Sequence, residues 1–537
     1  MATSSTFAST FNGNHLILFS HIAIRLDRRD PVAIAKEDIL PGMVISADLP
    51  GLPFDRLTIT QKIPAGHKFA LCTLAAGEEI LRYGCRIGIA SAAIAAGDWV
   101  HTHNLEVGDL ARNFAIQTIT TGQPAAVATP ERTFMGYPRP QGLNGTRNYI
   151  LVVSTVNCSA QTARAIALAF PPELLSAYPN VDGVLAVTHS TGCSMPAGSL
   201  AHEYLQRTLL NLIGHPNVGG IIFVGLGCEV NQLARQVEER RLAQSADEPG
   251  ACQVGPYLTL QEQGGIEATV SAGRQAVRDM LPHVNRTQRV LVPLSSLKVA
   301  LQCGGSDSWS GVTANPLIGR VADQLVAAGA TVVLSETPEI YGAEYLLTGR
   351  AASHQVGEKL VERIQAWQAQ AELLGVSLDN NPSPGNKAGG LTTIFEKSLG
   401  AVSKGGTTVL RQVYNYAERV DCPGLVFMDT PGNDPVSVTG QVAGGCSLVL
   451  FSTGRGSVFG GSIAPCLKVA SNTSMYRHMA GDMDYNAGAL LDGKSMEEAA
   501  ADLLDLVVQA ASGAPTRAER IGYREAEFVP WQPGIVL

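Results

Sequence analysis

The sequence has no CxxC pair among its ten cysteines, no long basic run and no apolar stretch long enough to cross a bilayer. Each absence excludes something. Without closely paired cysteines, neither a disulfide scaffold nor a zinc ribbon is indicated. With no basic cluster, a net charge of −8 and a pI of about 5.8, nucleic acid is not an expected partner. The most apolar early stretch, "HLILFSHIAI", is too short for a membrane helix and follows no Lys or Arg, so it does not read as a secretory signal. A cytoplasmic protein with no membrane partner is expected. Charged residues are scarce too, at 16% against 45% hydrophobic, which describes a well-buried chain whose 537 residues suffice for two to four domains. A mildly acidic surface does not argue against an anionic substrate, because a site needs only a few local cations.

Residues 1–13 read as a loose polar extension. Residues 14–105 read as short strands punctuated by "LPGM", "PAGHK", "AAGEE" and "AAGDW", which predicts a compact, barrel-like β-rich domain. Residues 106–133 carry no sustained pattern and read as a linker. Beyond it, apolar runs such as "YILVVSTV", "VGGIIFVGLG" and "ATVVLSE" alternate with helical segments. That alternation predicts a large, mostly parallel α/β body. The polar break at 378–390 suggests two subdomains, 134–380 and 381–537.

In "GDWVHTHNLE", His101 and His103 stand two apart. On an extended backbone both imidazoles reach one spot, as a metal pair or an acid/base pair would, or as two surface histidines closing a strand. His67 and Lys68 occupy the "AGHK" turn of the same small domain. In parallel sheets, ligands bind at the carboxyl ends of strands. There stand "THSTGCS" with Cys193, "GLGCEVNQ" with Cys228 and Glu229, and "LQCGGSDSWSG" with Cys303. The commoner fate of each such cysteine is that of a small buried hydrophobe. "FSTGRGSVFGG" surrounds Arg455 with glycines and hydroxyls and could cradle a carboxylate. It fits neither the dinucleotide fingerprint nor the phosphate loop.

Several motifs together resemble a known family. "PAGHKFAL", "ILRYGCRIG" and "WVHTHN" resemble the SAF-type amino-terminal domain of altronate dehydratases. "FMGYPRPQGLNGTRNYILVVSTVNCSA", "THSTGCSM", "GLGCEVNQ", "QEQGG", "LQCGGSDSWSGVTANP" and "NPSPGNKAGGLTTIFEKSLGA" resemble the catalytic body of altronate and galactarate dehydratases. The likeness runs from about residue 22 to the end. The family's "IHxxDNVAVA" is here "IRLDRRDPVAIA", with Asp27 and Pro31 at the His and Asn positions, and Gln141 replaces an Asp in "QGLNGTRN".

The resemblance implies a hydro-lyase that dehydrates an altronate-like sugar acid to a 2-keto-3-deoxy sugar acid. It implies an Fe2+ cofactor, with Mn2+ as the substitute, held by His67, His101 and His103. Lys68 would bind the substrate carboxylate or act as base, and Arg147, Asn148 and Arg455 would bind substrate. Cys193, Cys228, Glu229 and Cys303 are secondary candidates, and an iron–sulfur chromophore would turn the cysteines into ligands. A homo-oligomer is expected. The alternatives are a lyase for galactarate or a sulfonated acid, and an amino-terminal module that binds sugar acid without chemistry.

Overall fold

The computed structural model describes residues 16–108, 116, 132–243, 248–522 and 527–533. The amino-terminal extension and most of the expected linker lie outside the described residues. Among the described residues, no helix is long and apolar enough to cross a membrane.

The amino-terminal module is built on one repeated turn. Ile39, Ile63, Leu74 and Ile94 are buried and pair as bridges, Ile39 with Ile63 and Leu74 with Ile94. Each is followed by a tight turn whose glycine (Gly42, Gly66, Gly77, Gly97) has φ between 80° and 89°. That left-handed backbone favours glycine. The strands leaving these turns are short and form three small sheets, in keeping with the compact β-rich domain expected. One sheet orders Ala23–Ile24, Val32–Ala35, Lys68–Ala70 and Trp99–Val100, all antiparallel. It packs over Phe19, Ile45, Leu57 and Phe69. His67 and Lys68 thus sit where one repeated turn enters this sheet.

The α/β body has two parallel sheets. In the first, Tyr149–Ser154 lies between Gly183–Val187 and Val218–Gly225, with Gln253–Thr259 at the edge. Tyr149–Ser154 and Val218–Gly225 are buried throughout, which is why they read as continuous apolar runs. Helices Ala160–Ala167 and Ile266–Val284 cover one face through Ile166, Val277 and Leu281.

The second sheet has seven parallel strands, in the order Leu410–Tyr414, Gly424–Met428, Thr331–Leu334, Lys298–Cys303, Leu448–Thr453, Cys466–Ala470 and Tyr485–Asn486. Strands from both sides of residue 381 share this sheet, so the subdomain boundary expected there is incorrect. The body divides between the end of Ile266–Val284 and the start of Lys298–Cys303. The strand order reverses between Lys298–Cys303 and Leu448–Thr453, and the crevice beyond such a reversal is where open α/β sheets bind ligands.

Candidate active site at the carboxyl edge of the seven-stranded sheet

Lys298–Cys303 ends in a buried thiol. The next strand, Thr331–Leu334, runs into Glu336, whose φ of 69° places a non-glycine residue in the left-handed region. Glu336 accepts from Gln302 Nε2 (2.6 Å), Cys303 N (3.1 Å) and Lys404 Nζ (2.8 Å). Glu339 accepts from Lys397 Nζ (2.7 Å) and from the Cys303 thiol (3.1 Å). Asp434, at the start of helix Asp434–Ala443, meets Gln302 Nε2 at 3.4 Å.

Burial moves these groups apart in proton affinity. It raises Glu336 well above the carboxylate range despite Lys404. Against the same burial, Lys397 and then Lys404 hold Glu339 below its ordinary value. Burial, reinforced by Glu339, pushes Asp434 up to about 7. Burial also keeps Cys303 a thiol, with Glu336 and Glu339 adding to the effect. Burial and the two lysines thus push Glu336 and Glu339 in opposite directions within one small site.

Cys303, Glu336 and Glu339 also bring three ligand atoms within 4.8 Å of one another, the one such group among the described residues. Beside them Gln302 Oε1 is a buried acceptor with no hydrogen-bond partner. Thiol sulfur with carboxylate and amide oxygens is a mixed donor set that suits a divalent cation, which would satisfy that oxygen.

Helix Ile394–Val402 joins this cluster to the amino-terminal module. All of its residues are buried. Lys397 faces Glu339, while its neighbour Glu396 faces the module. Glu396 accepts from Lys68 Nζ at 2.8 and 3.0 Å and pairs with Arg82. Lys68 Nζ also donates to Gly390 O at 2.8 Å, and Arg82 donates to Ser308 Oγ at 2.9 Å. Burial works against the charge on Glu396, but Lys68 and Arg82 overcome it and bring the carboxyl to about 2. Burial lowers Lys68 to about 8.

The loop before this helix is held by the histidines. His67 Nε2 lies 3.2 Å from Ala388 O, and His101 Nε2 lies 2.9 Å from Lys387 O. A carbonyl only accepts, so both Nε2 atoms carry the proton. His67 Nδ1 accepts from Trp99 Nε1 (3.2 Å), and His101 Nδ1 lies 3.1 Å from Thr102 Oγ1. Burial lowers both pKa values, that of His101 to about 4. At Gly390 (φ 93°) a side chain would come 2.4 Å from Gly66 O. On the other side of the loop a Cβ at Gly389 would lie 2.9 Å from Asp307 Cβ and 3.1 Å from Arg455 Cδ. Exposed Arg455 therefore stands at the strand-order reversal, beside buried Asp307.

Comparisons with known proteins match the chain almost end to end. Residues 21–108 match the altronate/galactarate dehydratase SAF domain. Residues 136–285 match the D-galactarate dehydratase/altronate hydrolase second domain. Residues 294–536 match the D-galactarate/altronate dehydratase C-terminal domain.

The chain belongs to the altronate/galactarate dehydratase family.

It is similar to the altronate dehydratases of Escherichia coli K12 and Bacillus subtilis 168. These are 37% and 35% identical over 524 and 519 residues, covering 96% of this chain and 99% of each relative. The galactarate dehydratase (L-threo-forming) of Escherichia coli K12 is 34% identical, over 91% of this chain and 92% of the relative. As a member of this dehydratase family, the protein is a hydro-lyase.

Within this dehydratase, the residues singled out from sequence have separate fates. His67, Lys68 and His101 do meet, against the body. Both nitrogens of His67 and of His101 are engaged by protein groups in this arrangement. The strand ends at Val100, and residues 101–104 turn, with Asn104 N bonded to His101 O at 3.0 Å. His103 is exposed and packs on Trp99, 5.2 Å between ring centroids. Lys68 directs its three ammonium protons to Glu396 and Gly390, and so clamps the module to the body.

Arg147 and Asn148 are bonded to distant segments of the body. Arg147 forms a two-pronged pair with Glu519 (2.8 and 2.7 Å) and also donates to Ala510 O. Asn148 is consumed by Arg139, Asn180 and Val284. Glu229 is buried and closes its own turn, accepting from Gly227 N at 2.6 Å. Cys193 and Cys228 are exposed, whereas Cys303 is buried at the acid cluster. Sequence reasoning missed Glu336, Glu339, Lys397, Lys404 and Asp434. The available signal was "LSETPEI", two acids just past an apolar strand.

Proposed function

We propose that the protein dehydrates an altronate-like aldonate to its 2-keto-3-deoxy acid, with Fe2+ or Mn2+ as cofactor and a cytoplasmic small molecule as substrate. The observation that carries this reading is the buried cluster of Cys303, Glu336, Glu339 and Asp434 at the carboxyl edge beside the strand-order reversal. The altronate-type "WVHTHN" loop and the two altronate dehydratases among the relatives support the aldonate.

Cys303, Glu336 and Glu339 would hold the divalent ion, with Gln302 Oε1 beside them. Such an ion, when bound, offsets the negative charge that develops as a proton leaves the carbon next to a carboxylate. Arg455, at the mouth of the crevice, has the charge and the planar fork to bind the substrate carboxylate. Asp434, which burial pushes up to about 7, stands outside that ligand set; it takes the carbon-2 proton and gives it to the leaving carbon-3 hydroxyl, which departs as water. The enol left behind becomes the ketone by moving a proton from oxygen to carbon. His67 and His101 hold the 387–390 loop in place over Asp307 and Arg455.

The test is a panel of aldonates, aldarates and a sulfonated hydroxy acid, with and without added Fe2+ or Mn2+, read as 2-keto-3-deoxy product. Altronate should give the highest kcat/KM, and only with metal. Equal turnover of metal-stripped protein, or preference for an aldarate, would overturn the reading.

A further inference from the structure

Ten cysteines are free, and three of them are exposed: Cys158, Cys193 and Cys228. Free cysteine is among the most buried residue types, so three exposed thiols already call for a reason. Their positions supply one. They follow three adjacent strands of the four-stranded sheet, Tyr149–Ser154, Gly183–Val187 and Val218–Gly225. Val153 pairs with Val187 and Ser154 with Val224, so the three strands end level.

Each pair of the loops beyond them is tied by a hydrogen bond. Asn157 N donates to Thr191 O at 2.9 Å, Asn231 N to Gly192 O at 3.1 Å, and Asn231 Nδ2 to Thr155 O at 2.9 Å. The three thiols therefore rim one small triangle of backbone. Gly192 (φ 98°) and Ser194 (φ 56°) flank Cys193, and Gly227 (φ 127°) precedes Cys228. Backbone with such positive-φ residues is the kind from which concave, anion-binding nests are built, a common cradle for iron–sulfur centres. Gln261 Nε2 lies 3.5 Å from Cys228 Sγ and donates to it.

The ligand count decides what such a rim would hold. A structural zinc site needs four closed ligands. The nearby His189 is buried with Nε2 on Ser154 O and Nδ1 accepting from Thr191 N, and Glu229 is turned inward on its own backbone. The thiols are also spaced more widely than the 4.8 Å grouping seen for Cys303, Glu336 and Glu339. A single ion draws its ligands close together, whereas a cluster places one thiolate on each of several irons.

We propose that Cys158, Cys193 and Cys228 hold an iron–sulfur cluster, one thiolate to each of three irons, with a further iron left free of cysteine on the solvent side. The loop bearing Cys193 runs into helix Leu200–Leu210, whose Tyr204 packs with Val436 of helix Asp434–Ala443. Asp434 heads that second helix beside Gln302. The loop bearing Cys193 is thus linked through two packed helices to the acid cluster.

The test uses the full chain, purified without air and again after incubation with ferrous iron and sulfide. Iron, acid-labile sulfide, visible absorption and the electron paramagnetic resonance of the reduced protein are measured. Iron and sulfide should appear together with a thiolate-to-iron absorption band. Cys158→Ser, Cys193→Ser and Cys228→Ser should each lose most of both while keeping the wild-type circular dichroism. Cys422→Ser should keep both. Iron without sulfide, zinc in place of iron, or three serine variants that retain the band would each overturn the proposal. Glu339→Gln separates this from the divalent site, because it should lower the sulfide-free metal and leave the sulfide count unchanged.

Discussion

At the scale of single residues, the imidazoles and the acid cluster make opposite claims on the metal. With both nitrogens of His67 and His101 engaged, His67→Ala and His101→Ala should leave bound metal unchanged by elemental analysis. Turnover should still fall, by up to about a hundredfold, because a loop beside the reacting groups loses its anchor. Metal lost in either variant would return the imidazoles to the ligand set. Glu396 allows a pH prediction. Its carboxyl lies near 2 in the folded protein against an ordinary 4.5. The folded state therefore binds fewer protons than the unfolded chain in this window, and the stability Glu396 contributes is complete above pH 4.5 and is lost as the pH falls toward 2. Urea unfolding of the wild type should show this loss, and Glu396→Gln should lack that part of the slope. At neutral pH the same variant should be destabilised by about 3–5 kcal/mol, since it strands Lys68 and Arg82 in the interior.

At the scale of elements, the 387–390 loop and the helix after it carry most of the consequence. Gly390→Ala would force a left-handed side chain against Gly66 O. It should lower both the melting temperature and turnover, and an unaltered variant would mean that the module does not press on this loop. Much of the element pattern is legible in the sequence, because buried parallel strands such as Val218–Gly225 are apolar from end to end. The loop was misread for a physical reason. "NNPSPGNKAGG" has linker composition, but its glycines serve close packing between Gly66 and Asp307 rather than freedom. The pair Glu396–Lys397 was invisible in its role for a similar reason. A charged dipeptide in a helix ordinarily faces solvent, and nothing local marks partners more than fifty residues away. The His-x-His reading assumed a strand that in fact stops at Val100.

At the scale of the whole molecule, Arg147 is a clamp between units. It binds Glu519 of helix Arg517–Ile521, and so ties the four-stranded sheet to the carboxyl-terminal helices. Arg147→Met should cost about 3–5 kcal/mol by leaving Glu519 buried without its guanidinium. In the fraction that folds, KM for the sugar acid should stay at the wild-type value, and a raised KM would restore the substrate-binding role. The family was legible from motifs spread along the chain, whereas the roles of individual residues depended on which distant segments meet.

Consider finally the single step along helix Ile394–Val402 from Glu396 to Lys397. One side chain answers to the small module and the next to the acid pair. If the chain were cut between residues 108 and 132, the body alone would carry a bare interior carboxylate one residue away from the lysine that keeps Glu339 ionised. Such a body would be a poor enzyme with a strong appetite for its missing part. The two pieces, supplied separately, should find each other and recover activity together, which makes the module a removable brace for the active site rather than an accessory.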